Sequence, residues 1–526
     1  MTNFCFIFAE KILYKYYKYN TEKNLIMELS EKNIKLILGL KLKQIRQEKK
    51  LSLSDLSEKS TLSISYLNEI ENGKKYPSSR KIAALAAALD ISYDKLVSLK
   101  LTKNLAPFGE LLESNLLNEL PLDHYGIDVN KFLLLMSKSS LQLSALVSTL
   151  IEMAKSSELS QNNFSRTAIR TYKEFNENYF EELEESVENF REKYEFNGDL
   201  PIKYHDLLKI LTDKFHYEID EKFLQEIKEL KIVRGIVSIK NGSKKILINS
   251  ELTDSQKAFI IGKEIGYNFL NISDRSFIYS DLKVDSFDQL LNNLKASYFS
   301  SALIIKKNSL IEDLQILFQK DKWDGAFLVS LLEKYNASPD MLFQRITNLA
   351  AKYFNMNNFF FLRFNTTVNS GKYLLNKELR LNTKVNDEGY QNYEHYCRRW
   401  LTINILKELE HQQTKINDFQ TTIVGIQKSF FYNSNEEYLC VSLGKKSTLL
   451  EGTNYCVTLG FLSNYESKNK VKFWNDPSIK RIIVNGTCER CPITDCSERA
   501  ASPEILENKI KFEKIERTLK KIMEEI

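Results

Sequence analysis

A chain of 526 residues is too long for one hydrophobic core, and at about 150 residues per domain it should hold three or four units. Eight Pro and 17 Gly fall far below average usage, which favours long helices over loop-rich β architecture. With 74 Lys and Arg against 69 Asp and Glu, the net charge of +5 excludes a polycation, so nucleic-acid contact must come from a local basic patch.

At the start, the apolar run FCFIFA is cut short by Glu10 and Lys11, and nothing in the chain approaches the roughly 18 residues that cross a bilayer. The chain reads as cytoplasmic, with no membrane partner. Residues 1–35 form an N-terminal extension in which Met27 would make a natural start. Seven cysteines, an odd number without an export signal, argue for reduced thiols or a metal site rather than a disulfide framework.

Residues 36–98 read as five short helices. Ser52 with Asp55 has the form of a capping box, Ser63, Ser78 and Ser92 suit N-caps, and Gly73 sits where a helix stops. Leu42, Ile45, Leu53, Leu56, Leu67, Ile70, Ile82, Leu85 and Leu89 recur at helical spacing and suffice for one small core. The tight STLS connection makes 52–59 and 64–72 a helix-turn-helix, the alternative being a small bundle used for protein contacts. The stretch SYLNEIENGKKYPS resembles the recognition helix and following loop of the phage-repressor-like XRE family. That resemblance implies that Ile64, Ser65, Asn68 and Glu69, with Ser63 and Tyr66 beside them, face base edges. It also implies that Ser52, Asn72, Lys74 and Lys75 hold phosphates. The expected partner is double-stranded DNA with a palindromic operator, bound by a homodimer.

Residues 99–197 read as a helical linker or dimerisation region. Phe180, Leu183, Val187, Phe190 and Tyr194 form a near-heptad stripe in an acidic helix, which means packing or, failing that, self-association.

In 198–338, RGIVSIKNGSKKILINS spells a hairpin turning at Asn241-Gly242, and a helix should begin near Asp254. The order hairpin, helix, LKASYFSSALII resembles the zincin-type ImmA/IrrE peptidase domain fused to many XRE repressors. In that class a His-Glu-x-x-His helix holds zinc, and its Glu activates water. Here Lys263 and Tyr267 stand at the His positions and Lys295 at the carboxylate ligand, so only Glu264 remains. Ammonium and phenol cannot replace neutral imidazole at neutral pH, so no catalytic residue is assigned and the domain is degenerate. What remains is a fold with a cleft suited to a small molecule.

Residues 339–503 alternate helices with β-rich runs: FFFLRF, TTIVGIQKSFF, EYLCVSLG, NYCVTLGFL and KRIIVNG. Five strands suggest an antiparallel sheet of sensory type. Cys440 and Cys456 lie inside strands, where the default is a small buried apolar residue. Cys488, Cys491 and Cys496 instead share a C-x2-C-x4-C loop, and thiolates so close repel unless a metal neutralises them. Cys397 in EHYCRRW is the best fourth ligand. Four thiolates suit either a cubane cluster or structural zinc, and spacing does not separate the two.

CRRW followed by CERCPITDCSERAA resembles the short-chain acyl-CoA-responsive XRE regulators, the propionate-regulator type. That resemblance implies a 4Fe–4S cluster on Cys397, Cys488, Cys491 and Cys496, with coenzyme A or an acyl-CoA as effector. Residues 504–526 form a last helix with Leu506, Phe512, Ile515, Leu519, Ile522 and Ile526 along one face, free to pack back or to pair in a dimer. The fold expected is mainly α with α+β parts: a five-helix bundle, a helical linker, a degenerate zincin-like α+β domain and a C-terminal α+β domain with the Cys cluster. The function is a non-enzymatic transcriptional regulator responding to an acyl-CoA or redox signal. The rivals are an antitoxin or peptidase-type regulator of the ImmA/IrrE class, and a regulator with purely structural zinc.

Overall fold

The computed structural model describes residues 31–98, 169–196, 198–279, 287–383, 393–416 and 421–525. Most of the N-terminal extension and residues 99–168 of the expected linker lie outside them. The chain divides into two compact units, residues 1–168 and 169–526.

Among the described residues of the first unit five helices form: α1 (Glu31–Glu48), α2 (Leu53–Ser60), α3 (Ile64–Glu71), α4 (Ser79–Ala88) and α5 (Tyr93–Val97). Ser52 and Asp55 complete the capping box of α2, Ser63 caps α3 through the Tyr66 N–H, and Ser92 caps α5. Ser78 occupies the cap position of α4 without a side-chain bond. Leu42, Leu56, Leu67, Ile70, Ile82, Leu85 and Leu89 close the core, joined by Leu38 and Leu96; Ile45 and Leu53 pack at its edge. Each fully buried Leu or Ile contributes about 1.5–3 kcal/mol, enough in sum to hold so small a bundle. Arg46 on α1 clamps Glu71 at the end of α3, at 2.6 and 2.9 Å, with both groups buried.

In the second unit, α6 (Glu181–Lys193) sinks Phe180, Leu183, Val187 and Phe190 into the main core, with Phe190 edge-on to Phe299. The stripe is therefore spent on packing. After α7 (Tyr204–Phe215), β1 (Tyr217–Asp220) and α8 (Phe223–Glu226) comes the hairpin β2 (Gly235–Lys240) and β3 (Ser243–Ile248). It turns on Asn241 at φ 50° and Gly242 at φ 81°, as a two-residue loop between twisted strands requires. With β4 (Ile278–Tyr279) these strands order β1-β3-β2-β4. Against them lie α9 (Asp254–Phe269) and α10 (Phe287–Ile304). A Cβ on Gly266 would sit 3.0 Å from the Phe299 ring, so glycine there lets α9 and α10 approach closely.

Helices α11 (Lys307–Phe318), α12 (Gly325–Lys334) and α13 (Pro339–Phe354) lead into a six-stranded sheet. Its strands are β5 (Phe359–Thr367), β6 (Leu374–Leu381), β7 (Ile423–Phe431), β8 (Glu436–Lys446), β9 (Thr453–Leu462) and β10 (Arg481–Val484). The order is β10-β7-β8-β9-β5-β6, antiparallel except where β10 joins β7 in parallel. The expected sheet thus gains β6, and one edge departs from the antiparallel pattern. Phe359 and Phe361 face the main core, while Phe360, Leu362 and Phe364 face a second core beneath α14 (Leu401–Lys415), as period-2 alternation demands of a strand covered on both sides. The main core runs from Phe180 to Ile479, under both the β1–β4 sheet with α9 and α10 and the six-stranded sheet. After the short α15 (Tyr465–Lys470) and β10, the cysteine loop leads into α16 (Glu504–Glu525).

Candidate DNA-binding face, cysteine cluster and basic interior

On the first unit, the capped start of α3 presents Ser63, Ile64, Ser65 and Asn68 to solvent, with Tyr66 and Glu69 half-buried beside them. An exposed Ile64 on so small a bundle is a cost in water but suits contact with a thymine methyl. Asn72 donates from its amide to the carbonyl of Asn68 at 2.7 Å and to its side-chain oxygen at 2.9 Å, fixing both polar heads on one face. Ser52 and Lys74 are exposed, whereas Lys75 pairs with Glu69 at 2.8 Å. Lys81 on α4, which the sequence reading did not single out, stands 4.1 Å over the Tyr66 ring. A capped eight-residue helix with a free face, backed by a second helix across a tight turn and flanked by lysines, has the form that enters a major groove. Residues 42–96 match the Helix-turn-helix family.

The match is to that stretch alone. Among curated proteins nothing matches the chain. Among solved structures, one described as a Mycobacterium tuberculosis transcriptional regulator is similar at a TM-score of 0.44 and 14% identity, over 64% of this chain and 92% of that one.

Outside the helix-turn-helix domain, the second unit gathers the four cysteines singled out in the sequence. An isolated antiparallel bridge joins Tyr396 to Thr487, and the Cys397 N–H donates to the Gly486 carbonyl at 3.0 Å. The Cys488 N–H donates in turn to the His395 carbonyl at 2.8 Å. This short ladder sets Cys397 beside the Cys488–Cys496 loop, within electrostatic reach of Cys488 and Cys491. Arg499 donates to the carbonyls of Cys488 and Cys491, at 2.9 and 3.1 Å, and the Ala500 N–H points at Cys488 Sγ from 3.3 Å. Burial pushes the Cys397 thiol up to about 11 and raises Cys491 as well, so both are neutral unless a cation holds them as thiolates. Among the described residues, no group of three or more His, Cys, Asp or Glu is placed to hold a metal ion. The four are neighbours on a shared frame rather than a closed single-ion set. Four soft donors, with an N–H aimed at one sulfur, fit the chemistry of a thiolate-bound metal group. Cys440 and Cys456 are buried inside β8 and β9.

Helix α9 carries Lys263 and Tyr267 where the sequence resemblance would have placed histidine ligands. Lys263 donates to the Asn293 oxygen of α10 at 2.5 Å, Tyr267 is buried, and Lys295 lies half-buried on α10. Glu264 is gripped by Arg275 through both oxygens and accepts from the hydroxyls of Tyr217 and Tyr279, each at 2.5 Å. Burial alone would raise its carboxyl, but Arg275 and the hydroxyls outweigh that and hold it low. With both oxygens engaged, it has no place for a substrate water.

Around this helix collects a feature that no single stretch of sequence displayed. Lys173, Arg234, Arg363 and Lys377 lie within electrostatic reach of one carboxylate, Asp340 of α13, and Lys263 lies within reach of Lys377 and Arg234. Lys377 reaches Asp340 at 3.0 Å, and Arg363 approaches it to 3.6 Å while its guanidinium lies 4.6 Å over the Tyr455 ring. Desolvation first, then the positive charge of Lys377, pushes Lys263 down to about 7 and Lys173 to about 8. Asp340, which burial would raise, is held at about 2 by Lys377 and Arg363. Arg363 Nε and Asp340 Oδ1 are buried with no hydrogen-bond partner among the described residues. Four cations around one buried carboxylate is an environment suited to an added anion.

Proposed function

We propose that the protein is a sequence-specific DNA-binding transcriptional regulator, not an enzyme. The single observation that carries this reading is the capped α3, with Ile64, Ser65 and Asn68 exposed on a matched helix-turn-helix domain. In this reading Ser65, Asn68 and Glu69 address base edges, and Ser52, Asn72, Lys74 and Lys75 hold the phosphates of a palindromic operator.

The second unit serves as the sensor. Cys397, Cys488, Cys491 and Cys496 would hold a 4Fe–4S cluster, which when bound supplies a redox-active or structural centre; zinc on the same thiols is the competing assignment. The frame made by Arg499, Ala500 and the Tyr396–Thr487 bridge supports either group. The effector is an anionic small molecule, and an acyl-CoA fits, because its phosphates supply the negative charge that Lys173, Arg234, Lys263, Arg363 and Lys377 lack. A ligand can shift DNA affinity only by binding two conformations unequally, and the natural quantity to shift is the spacing of two helix-turn-helix domains.

The test is anaerobic purification, metal and sulfide analysis, and titration of labelled upstream DNA at physiological salt with and without an acyl-CoA. Expected are about four irons per chain and a Kd near 10⁻⁸ M or tighter, roughly a thousandfold or more below that for random DNA. Equal affinity for random and upstream DNA refutes the regulator. One zinc without iron refutes the cluster and leaves DNA binding standing. The antitoxin alternative would require a stoichiometric small protein to copurify.

A further inference from the structure

Helix α16 leaves the body of the second unit with its apolar side in water. Phe512 is 66% exposed, Ile515 46%, Leu519 53% and Ile522 46%. A stripe of this length on a charged helix is more than the scattered exposed apolar residue of an ordinary surface. Its spacing alternates three and four. With Ile505, Phe512 and Leu519 as one core set and Asn508, Ile515 and Ile522 as the other, the helix completes three heptads of a two-stranded coiled coil. Asn508 is then the one polar core residue.

The flanking charges say what covers this face. In a parallel, in-register pair, each residue just before a core position of the first set meets the residue five places on in the partner helix. Glu504 then meets the second copy's Lys509, and Lys511 meets the second copy's Glu516, opposite signs at both places and on both sides of the seam. The helix is also rigidly launched, since the Leu506 N–H donates to the Glu489 carbonyl inside the cysteine loop at 3.1 Å.

We propose that α16 pairs with α16 of a second copy of this chain as a parallel coiled coil, with Glu504–Lys509 and Lys511–Glu516 setting its register. Three heptads are few, so the pair is reversible and its concentration dependence can be read. The experiment is sedimentation equilibrium on the full chain. The parent should be a dimer, and I515D/L519D, which alters only exposed positions, should sediment as a monomer. K511E should weaken the dimer about tenfold by placing like charges at two symmetric sites, and K511E/E516K should restore it. A monomeric parent, a dimer unmoved by I515D/L519D, or a charge-swapped double variant no better than K511E overturns the proposal. The restoring pair separates a lost contact from a damaged fold.

Discussion

Arg275, from the segment after α9, meets Glu264 of that helix with two guanidinium nitrogens, each 2.6 Å from a carboxylate oxygen. Where a hydrolase would keep a carboxylate ready for water, this chain has locked it to a cation. Both side chains are almost wholly buried, so Glu264 is the counterion that takes the place of water for Arg275.

Replacing Glu264 with Gln leaves the Arg275 charge buried without its counterion, at a cost of about 3–5 kcal/mol. All three tryptophans, Trp323, Trp400 and Trp474, lie in the second unit, so its urea midpoint can be followed by their fluorescence. E264Q should shift that midpoint down strongly, and E264Q/R275M should recover much of the loss. A neutral E264Q would show that the pair contributes nothing.

Lys263 is held at about 7 against an ordinary 10.5, so between those values the unfolded chain binds a proton that the native chain does not. Stability from this group therefore rises with pH from about 7 to 10.5, and the penalty is fully present below 7. K263M should be stabilising by up to a few kcal/mol near pH 6.5, with the gain shrinking towards pH 10. A gain that grows with pH would reverse the assignment. An anionic effector near Lys263 should keep it charged, so its binding takes up a proton at pH 8 and weakens from pH 7 to 9.

On DNA, N68A and S65A should each cost about 1–3 kcal/mol on the cognate site and relax the preference there. K74A and K81A should weaken cognate and random DNA alike and lower the salt slope by about one each. Fluorescence anisotropy at three salt concentrations separates the two groups. Equal losses for N68A on every sequence would move Asn68 from base reading to backbone contact.

If the four cysteines hold the proposed metal group, serine at Cys397 should strip it as completely as serine at Cys488 or Cys491, although Cys397 stands far from them in sequence. C440S should leave metal content unchanged, since Cys440 is buried in β8. Elemental analysis of matched anaerobic preparations decides. Full metal retention in C397S would free that residue from the ligand set.

Legibility followed the range of the interactions. The first unit is built from caps and heptad-like contacts within a few tens of residues, so Ser52, Ser63 and the Leu42–Leu89 set declared it. The hairpin at Asn241-Gly242 was equally local. Strand β6 passed unnoticed because its sequence, LLNKELRL, alternates charges at a sheet edge and has no β-branched residue to mark it. Arg275 sits in a connecting segment with no periodic relation to Glu264. The four cations around Asp340 come from four separate segments, and nothing short of the assembled fold brings them together. The stripe on α6 was visible, but whether it served packing or pairing depended on Phe299 and Tyr298, more than a hundred residues on.

The Tyr396–Thr487 bridge also sets a timetable. During synthesis the helix-turn-helix domain is complete long before the sheet begins, whereas Cys397 must wait for β7, β8, β9 and finally β10 before it has neighbours. The part that reads DNA is therefore finished well ahead of the part that gathers sulfur. A chain interrupted between α14 and β10 would leave the ribosome with its helix-turn-helix domain complete and Cys397 without Thr487 and Cys488 beside it.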